Sequence, residues 1–170
     1  GAWLSNRKAA NEQEIAALID AANQYPTTVT RVIVGNEVLL RGELTSADLA
    51  GYLRRVRAAI KQPVSYADVW EYWMQHPELA PEVDFITAHI LPYWENDPVA
   101  AQHTALHVEA VYHLLQQRFP GKPIFIGETG WPTAGRSRGP AVPSRISYGT
   151  FMHQFLGLAA RDSFDYNVVE

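Results

Sequence analysis

The chain has 170 residues, close to the roughly 150 of a typical domain, so one compact unit with a sizeable core is expected rather than two. Hydrophobic residues make up 47% and charged residues 19%, which excludes a disordered polyelectrolyte, while 11 Gly and 11 Pro exclude a collagenous or low-complexity chain. With 18 Asp and Glu against 14 Lys and Arg (net charge -4), no positive field exists to attract a phosphate backbone or anionic lipid, and nucleic acid is not an expected partner. The absence of cysteine removes disulfide frameworks and thiolate metal sites. The apolar runs fall short of the roughly 18 residues that span a bilayer, so no insertion of this segment into a membrane is expected.

Apolar runs and amphipathic stretches alternate in chain order. Gly1-Ala2-Trp3-Leu4 reads as the tail of a strand. Asn11 and Glu14 read as a capping box ahead of a helix with Ile15, Leu18, Ile19 and Ala22 on one stripe. A strand is expected over 30–36 (TRVIVGN), then a helix with Leu49, Tyr52, Leu53, Val56 and Ile60 on its inner face. Strands follow over 63–67 (PVSYA) and 84–90 (DFITAHI), separated by a short helix bearing Asp68 and Glu71. Asp97-Pro98 supplies a cap and a first-turn proline for a long helix to about Arg118, ended by Pro120-Gly121. A strand over 122–128 (KPIFIGE) leads into a Gly-, Pro- and Arg-rich loop over 133–143. Ser144 then caps a helix carrying Ile146, Phe151, Phe155 and Leu158, and the last strand covers 164–170 (FDYNVVE). Near-continuous apolar strands alternating with helices are the pattern of βαβ units, so the class is α/β with a parallel sheet. Both ends of the chain read as cuts through a larger domain.

Two strands end with a glycine and then a carboxylate: Gly35-Asn36-Glu37 and Gly127-Glu128-Thr129-Gly130-Trp131-Pro132. In a parallel sheet the C-terminal strand ends share one edge, so Glu37 and Glu128 are expected to face a common cleft. Either glutamate alone reads equally well as a helix cap or a salt-bridge partner at a loop start. Together they suit glycoside cleavage, in which one carboxyl protonates the leaving oxygen while the other attacks the anomeric carbon or activates water. Tyr93, Trp94 and Trp131 offer flat apolar faces to pyranose rings, and Asn36 a two-way amide to hydroxyls. His89 is either a satisfied interior histidine or a hydrogen-bonder to the sugar. Several other signals carry less. His103 and His107 with Glu109 lack the glutamate of H-E-x-x-H and read as solvated helix surface, so no metal is expected. Arg54, Arg55, Arg57 and Lys61 read as a solvent face, and Asp68 and Glu71 read as surface residues or, less favoured, as contacts to an acceptor. Gly127 and Gly130 lack the third glycine of a dinucleotide fingerprint, so no cofactor is expected.

The GNE at 35–37, the PYW at 92–94 and above all the GETGWPT at 127–133 resemble glycoside hydrolase family 17, the β-1,3-glucanase and glucanosyltransferase group. The resemblance covers nearly the whole chain. It implies a TIM (β/α)8 barrel, present here incompletely, from about the end of the third strand to the eighth, with the first two strands outside this chain. It implies that Glu37 is the general acid/base after the fourth strand and Glu128 the nucleophile after the seventh. Asn36 matches the residue that steadies the sugar 2-hydroxyl, Tyr93 and Trp131 match positions lining the donor cleft, and Trp94, His89 and Glu170 join them as candidate sugar contacts. Such enzymes retain anomeric configuration, which requires the two carboxyls about 5 to 5.5 Å apart. The segments 65–73 and 166–170 are most similar to the bacterial branch, in which such a domain is found in the extracytoplasmic part of membrane-bound β-glucan synthases. A β-glucan oligosaccharide or polysaccharide is therefore the implied partner, and an extracytoplasmic, periplasmic location is implied with it. The alternatives are a non-catalytic carbohydrate-binding domain and a retaining glycosidase for another β-linkage, such as a β-mannan.

Overall fold

A computed structural model describes residues 1–170. Its elements are α1 (Lys8–Gln24), β1 (Val32–Asn36), α2 (Ser46–Ala59), β2 (Val64–Val69), α3 (Trp70–Gln75), a 3-10 turn (Pro77–Glu82), β3 (Ile86–His89), a 3-10 turn (Ala101–His103) running into α4 (Thr104–Arg118), β4 (Ile124–Gly130), α5 (Arg145–Asp162) and β5 (Asp165–Val169). The five strands form one sheet in the order of the chain, with β1 parallel to β2 and β4 parallel to β5. The five strands predicted over 30–36, 63–67, 84–90, 122–128 and 164–170 are present, and the strand tail expected at 1–4 is reduced to a parallel bridge between Ala2 and Val34. The chain divides into two compact units, one of residues 1–87 with 121–123 and the other of residues 88–120 with 124–170. No helix is long and apolar enough to cross a membrane.

In the first unit, β2 is buried along Val64, Ser65, Tyr66, Ala67 and Asp68, the mark of a strand covered on both faces. α2 lays Leu49, Ala50, Leu53 and Val56 inward, and the Thr45 hydroxyl caps it by accepting the Asp48 amide at 3.1 Å. Its basic residues are exposed as expected, and at the surface Arg54 pairs with Glu82, Arg55 with Glu12 and Arg57 with Asp84. α1 buries Ile15, Leu18 and Ala22 as its periodicity predicts, yet it starts at Lys8, ahead of the expected box. Asn11 does not cap it. The Asn11 amide is buried and closes on Ser5 instead, its oxygen accepting Ser5 N at 2.9 Å and its nitrogen donating to Ser5 O at 2.7 Å, while the Glu14 carboxylate accepts Trp3 N.

In the second unit, Ser144 caps α5 as expected, accepting Ser147 N at 2.9 Å. Phe151 and Phe155 stack in the core with centroids 5.4 Å apart, and Phe155 meets Tyr166 of β5 edge-on. Ile146, counted with that stripe in the sequence, is 83% exposed. The Asp97-Pro98 pair does not start a helix. It lies in the loop after β3, where Val99 N donates to Pro92 O, and α4 is entered through Ala101–His103 with the Thr104 hydroxyl donating to Ala101 O. β4 and β5 run so close at Gly130 and Val169 that a Cβ on Gly130 would stand 1.8 Å from the Val169 carbonyl oxygen.

Candidate active site

Glu37 directly follows β1, at the C-terminal end of a strand whose register shifts between Ile33 and Asn36. Gly35 and Glu37 both have positive φ, 84° and 51°. The left-handed conformation is uncommon for a residue with a Cβ and costs on the order of 1–3 kcal/mol, so it persists only where the surroundings dictate it. They do so here: Glu37 N donates to Ala67 O at 2.8 Å and Glu37 O accepts Arg41 N at 2.9 Å. A Cβ on Gly35 would press the Tyr66 ring at 3.3 Å and Leu4 at 3.4 Å, so glycine is also demanded by space.

Around this corner lie Tyr66, which the sequence did not single out, and Asp68, which it placed on the surface. The Tyr66 hydroxyl accepts Leu39 N at 3.0 Å and donates to Asp68, whose carboxylate also accepts Val69 N at 2.8 Å and Leu40 N. Asp68 belongs to β2 rather than to a short surface helix, and it is fully buried. Burial holds its carboxyl above the usual carboxylate range and the charge of Glu37 adds to that, against the hydrogen bonds it accepts. Burial and the Asp68 charge together push the Tyr66 phenol up. Arg41 donates to the carbonyls of Asn36 and Leu4, pairs with Glu43 at 2.9 Å and lies 4.5 Å from the centre of the half-exposed Trp3 ring. Asn36, the last residue of β1, is thus held by its backbone. The alternation Tyr-Ala-Asp inside an apolar strand was the available signal for the buried pair, because residues two apart share a face.

In the second unit, Glu128 lies within β4, which continues past it to Gly130, and its side chain is 35% exposed. His89, the last residue of β3, is 2% exposed with Nε2 at 3.9 Å from Glu128 Oε1, and the backbones are joined by Ile90 N donating to Glu128 O at 2.9 Å. His89 is therefore interior, the first of its two readings, and it lies beside the Glu128 carboxylate. The aromatic candidates separate. Trp131 has no exposed surface and its indole donates to Val142 O, and Tyr93 is 7% exposed with its hydroxyl donating to Arg136 O at 2.5 Å. Tyr93 sits edge-on to both Trp131 and Trp94, so two of the three rings form a packed base and Trp94, 37% exposed, is the one with a free face. Arg138 donates to the carbonyls of Trp94 and Glu95 at 2.8 and 3.1 Å, tying the loop over 133–143 to the turn that carries Trp94. Glu95 is held on its other side by His107 at 2.7 Å, so His107 is a structural partner and not solvated surface. Glu170 accepts the Thr133 hydroxyl.

Comparison with known proteins places this arrangement. The family model of the BtgE/BtgC glycoside hydrolase domain matches residues 1–169. A glucan 1,3-beta-glucosidase of Schizosaccharomyces pombe is 30% identical over 162 residues, covering 83% of this chain and 48% of that protein. A probable beta-glucosidase btgE of Aspergillus fumigatus is 28% identical over 149 residues, covering 84% of this chain and 26% of that protein. The chain thus spans less than half the length of these curated relatives. Among solved structures, the glycoside hydrolase family 17 beta-1,3-glucanosyltransferase of Rhizomucor miehei superimposes with a TM-score of 0.87 at 30% identity, over 99% of this chain and 63% of that one. An active-site mutant of that enzyme in complex with laminaritriose superimposes with a TM-score of 0.86 at 28% identity, over 98% of this chain and 62% of that one. The five-stranded α/β sheet is accordingly part of the barrel fold expected from the sequence, and the chain belongs to the BtgE/BtgC glycoside hydrolase domain family, related to the family 17 glucanosyltransferases.

Proposed function

We propose that the protein is a retaining β-glucan-active enzyme that prefers transfer to hydrolysis. The observation that carries this reading is the family match over residues 1–169, which includes a glutamate at the C-terminal end of each of two parallel strands, Glu37 after β1 and Glu128 in β4. Such strand ends are where α/β barrels hold their chemistry. In the first step a Glu128 carboxylate oxygen bonds to the anomeric carbon as the bond to the leaving oxygen breaks, and the Glu37 proton passes to that oxygen. In the second, Glu37 takes the proton of an incoming hydroxyl, whose oxygen bonds to the anomeric carbon as the ester bond to Glu128 breaks. Asn36 addresses the sugar 2-hydroxyl, His89 orients Glu128, and Glu170 borders the sugar path. The exposed face of Trp94 supports a pyranose ring, and a sugar seated there favours a carbohydrate acceptor over water. The relation to a glucanosyltransferase studied with laminaritriose supports a β-1,3-glucan substrate. An extracytoplasmic place in a membrane-bound glucan synthase completes the proposal.

Full-length protein incubated with laminari-oligosaccharides is expected to yield products longer than the starting material, read by mass spectrometry. Shorter products alone would make it a hydrolase, and binding without turnover would overturn the enzymatic reading in favour of a binding domain. Arg138→Ala releases the turn that carries Trp94. Charge-assisted hydrogen bonds are worth about 1.5–3 kcal/mol when shielded, and Arg138 is partly exposed, so KM for oligosaccharides is expected to rise about tenfold with kcat little changed. An unchanged KM would remove Trp94 from the sugar path.

A further inference from the structure

We propose that Tyr66 and Asp68 form a positioning pair for Glu37, fixing the turn 37–40 so that its carboxyl is aimed for proton transfer. The inference rests on Glu37 being the acid/base of the proposed reaction. Tyr66 and Asp68 stand two apart in β2, on one face, and are 1% and 0% exposed. Two consecutive amides of the turn after Glu37 end on them: Leu39 N on the Tyr66 hydroxyl at 3.0 Å and Leu40 N on Asp68 Oδ2 at 3.4 Å. The Tyr66 hydroxyl donates to Asp68 and so locks the two side chains together. On the other side of Glu37, Gly35 leaves room for the Tyr66 ring, so the pair braces the backbone both before and after the acid. Within that brace Glu37 is held at a φ of 51°. A conformation that L-residues avoid needs fixed partners, and these hydrogen bonds supply them.

Burying an ionised group costs several kcal/mol, and at Asp68 the bonds that offset this cost, from the Tyr66 hydroxyl and the Leu40 and Val69 amides, include those that hold the turn after Glu37 to β2. Asp68 lies within the electrostatic reach of Glu37, so it acts next to the proposed acid. It does not touch substrate in this proposal. Its effect passes through the turn and is therefore one of geometry.

The test separates proton donation from folding. A sugar alkoxide leaves only with a proton, whereas a dinitrophenolate leaves without one, so an acid or its positioning residues matter for the first substrate and hardly for the second. Asp68→Asn and Tyr66→Phe are made in the full-length protein, with Glu37→Ala as reference, and kcat/KM is measured on a laminari-oligosaccharide and on a dinitrophenyl β-laminaribioside. Because general acid catalysis contributes about 10²–10⁴-fold, Glu37→Ala is expected to lose at least about 100-fold on the oligosaccharide and little on the aryl glycoside. Asp68→Asn is expected to lose about 30-fold and Tyr66→Phe about tenfold, with the same selectivity. A fraction of misfolded enzyme lowers both substrates equally and leaves their ratio unchanged. Equal losses in Asp68→Asn and Tyr66→Phe beside a selective Glu37→Ala would overturn the positioning role. Equal losses in Glu37→Ala itself would instead overturn the assignment of the acid.

Discussion

Replacing Glu128 by alanine is expected to lower turnover of a β-glucan by about 10⁴-fold, the equivalent of roughly 5.5 kcal/mol of transition-state stabilisation. The carboxylate is the group that bonds to the anomeric carbon, and alanine leaves a space beneath that carbon which a small anion can fill. Azide added to Glu128→Ala with an activated donor should therefore attack from the vacated face and give an inverted glycosyl azide. Glu37→Ala keeps the nucleophile, so the glycosyl-enzyme still forms, and azide attacks it from the opposite side to give a glycosyl azide of retained configuration. Nuclear magnetic resonance of the anomeric proton distinguishes the two products. The opposite stereochemical outcomes tie each residue to its own step, which a simple loss of activity does not. Rescue with the stereochemistry exchanged, or no rescue in either variant, would overturn the roles.

The second large effect is structural. Gly130→Ala would set a Cβ 1.8 Å from the Val169 carbonyl oxygen and 2.8 Å from its carbon, and both are backbone atoms of a paired strand. A flexible side chain in that place would move aside, but here relief means pushing β5 away from β4 and breaking their ladder. The expected cost is on the order of 3–5 kcal/mol, a large part of the total stability of a domain, and would be read as a lower Tm or a loss of folded protein. Gly157→Ala is the comparison. Gly157 lies in α5 with nothing within 4 Å of the added methyl, so the same substitution should stabilise by up to about 1 kcal/mol. A Gly130→Ala protein as stable as its Gly157→Ala counterpart would contradict the close approach of the two strands.

The alternation of apolar runs with amphipathic stretches was enough to find all five strands and the inner faces of α1 and α2, because both depend on periodicities within a single segment. The Ser144 cap was readable for the same reason, since donor and acceptor are three residues apart. The GNE and GETGWPT segments drew attention to Glu37 and Glu128 through residue types that an apolar strand does not otherwise end on. What tertiary contact decided is of another kind. Asn11 and Glu14 satisfy a local capping pattern, yet they bind Ser5 and Trp3 because those backbone groups come within reach. Trp131 and Tyr93 carry the composition of a sugar platform, but packing buried them and left Trp94 exposed. Arg138 reaches Trp94 across 44 positions and Tyr66 reaches Leu39 across 27, distances over which sequence spacing carries no signal. Which carboxylate is buried, which ring keeps a free face and which turn is held in an unfavourable φ depend on neighbours brought close only by folding.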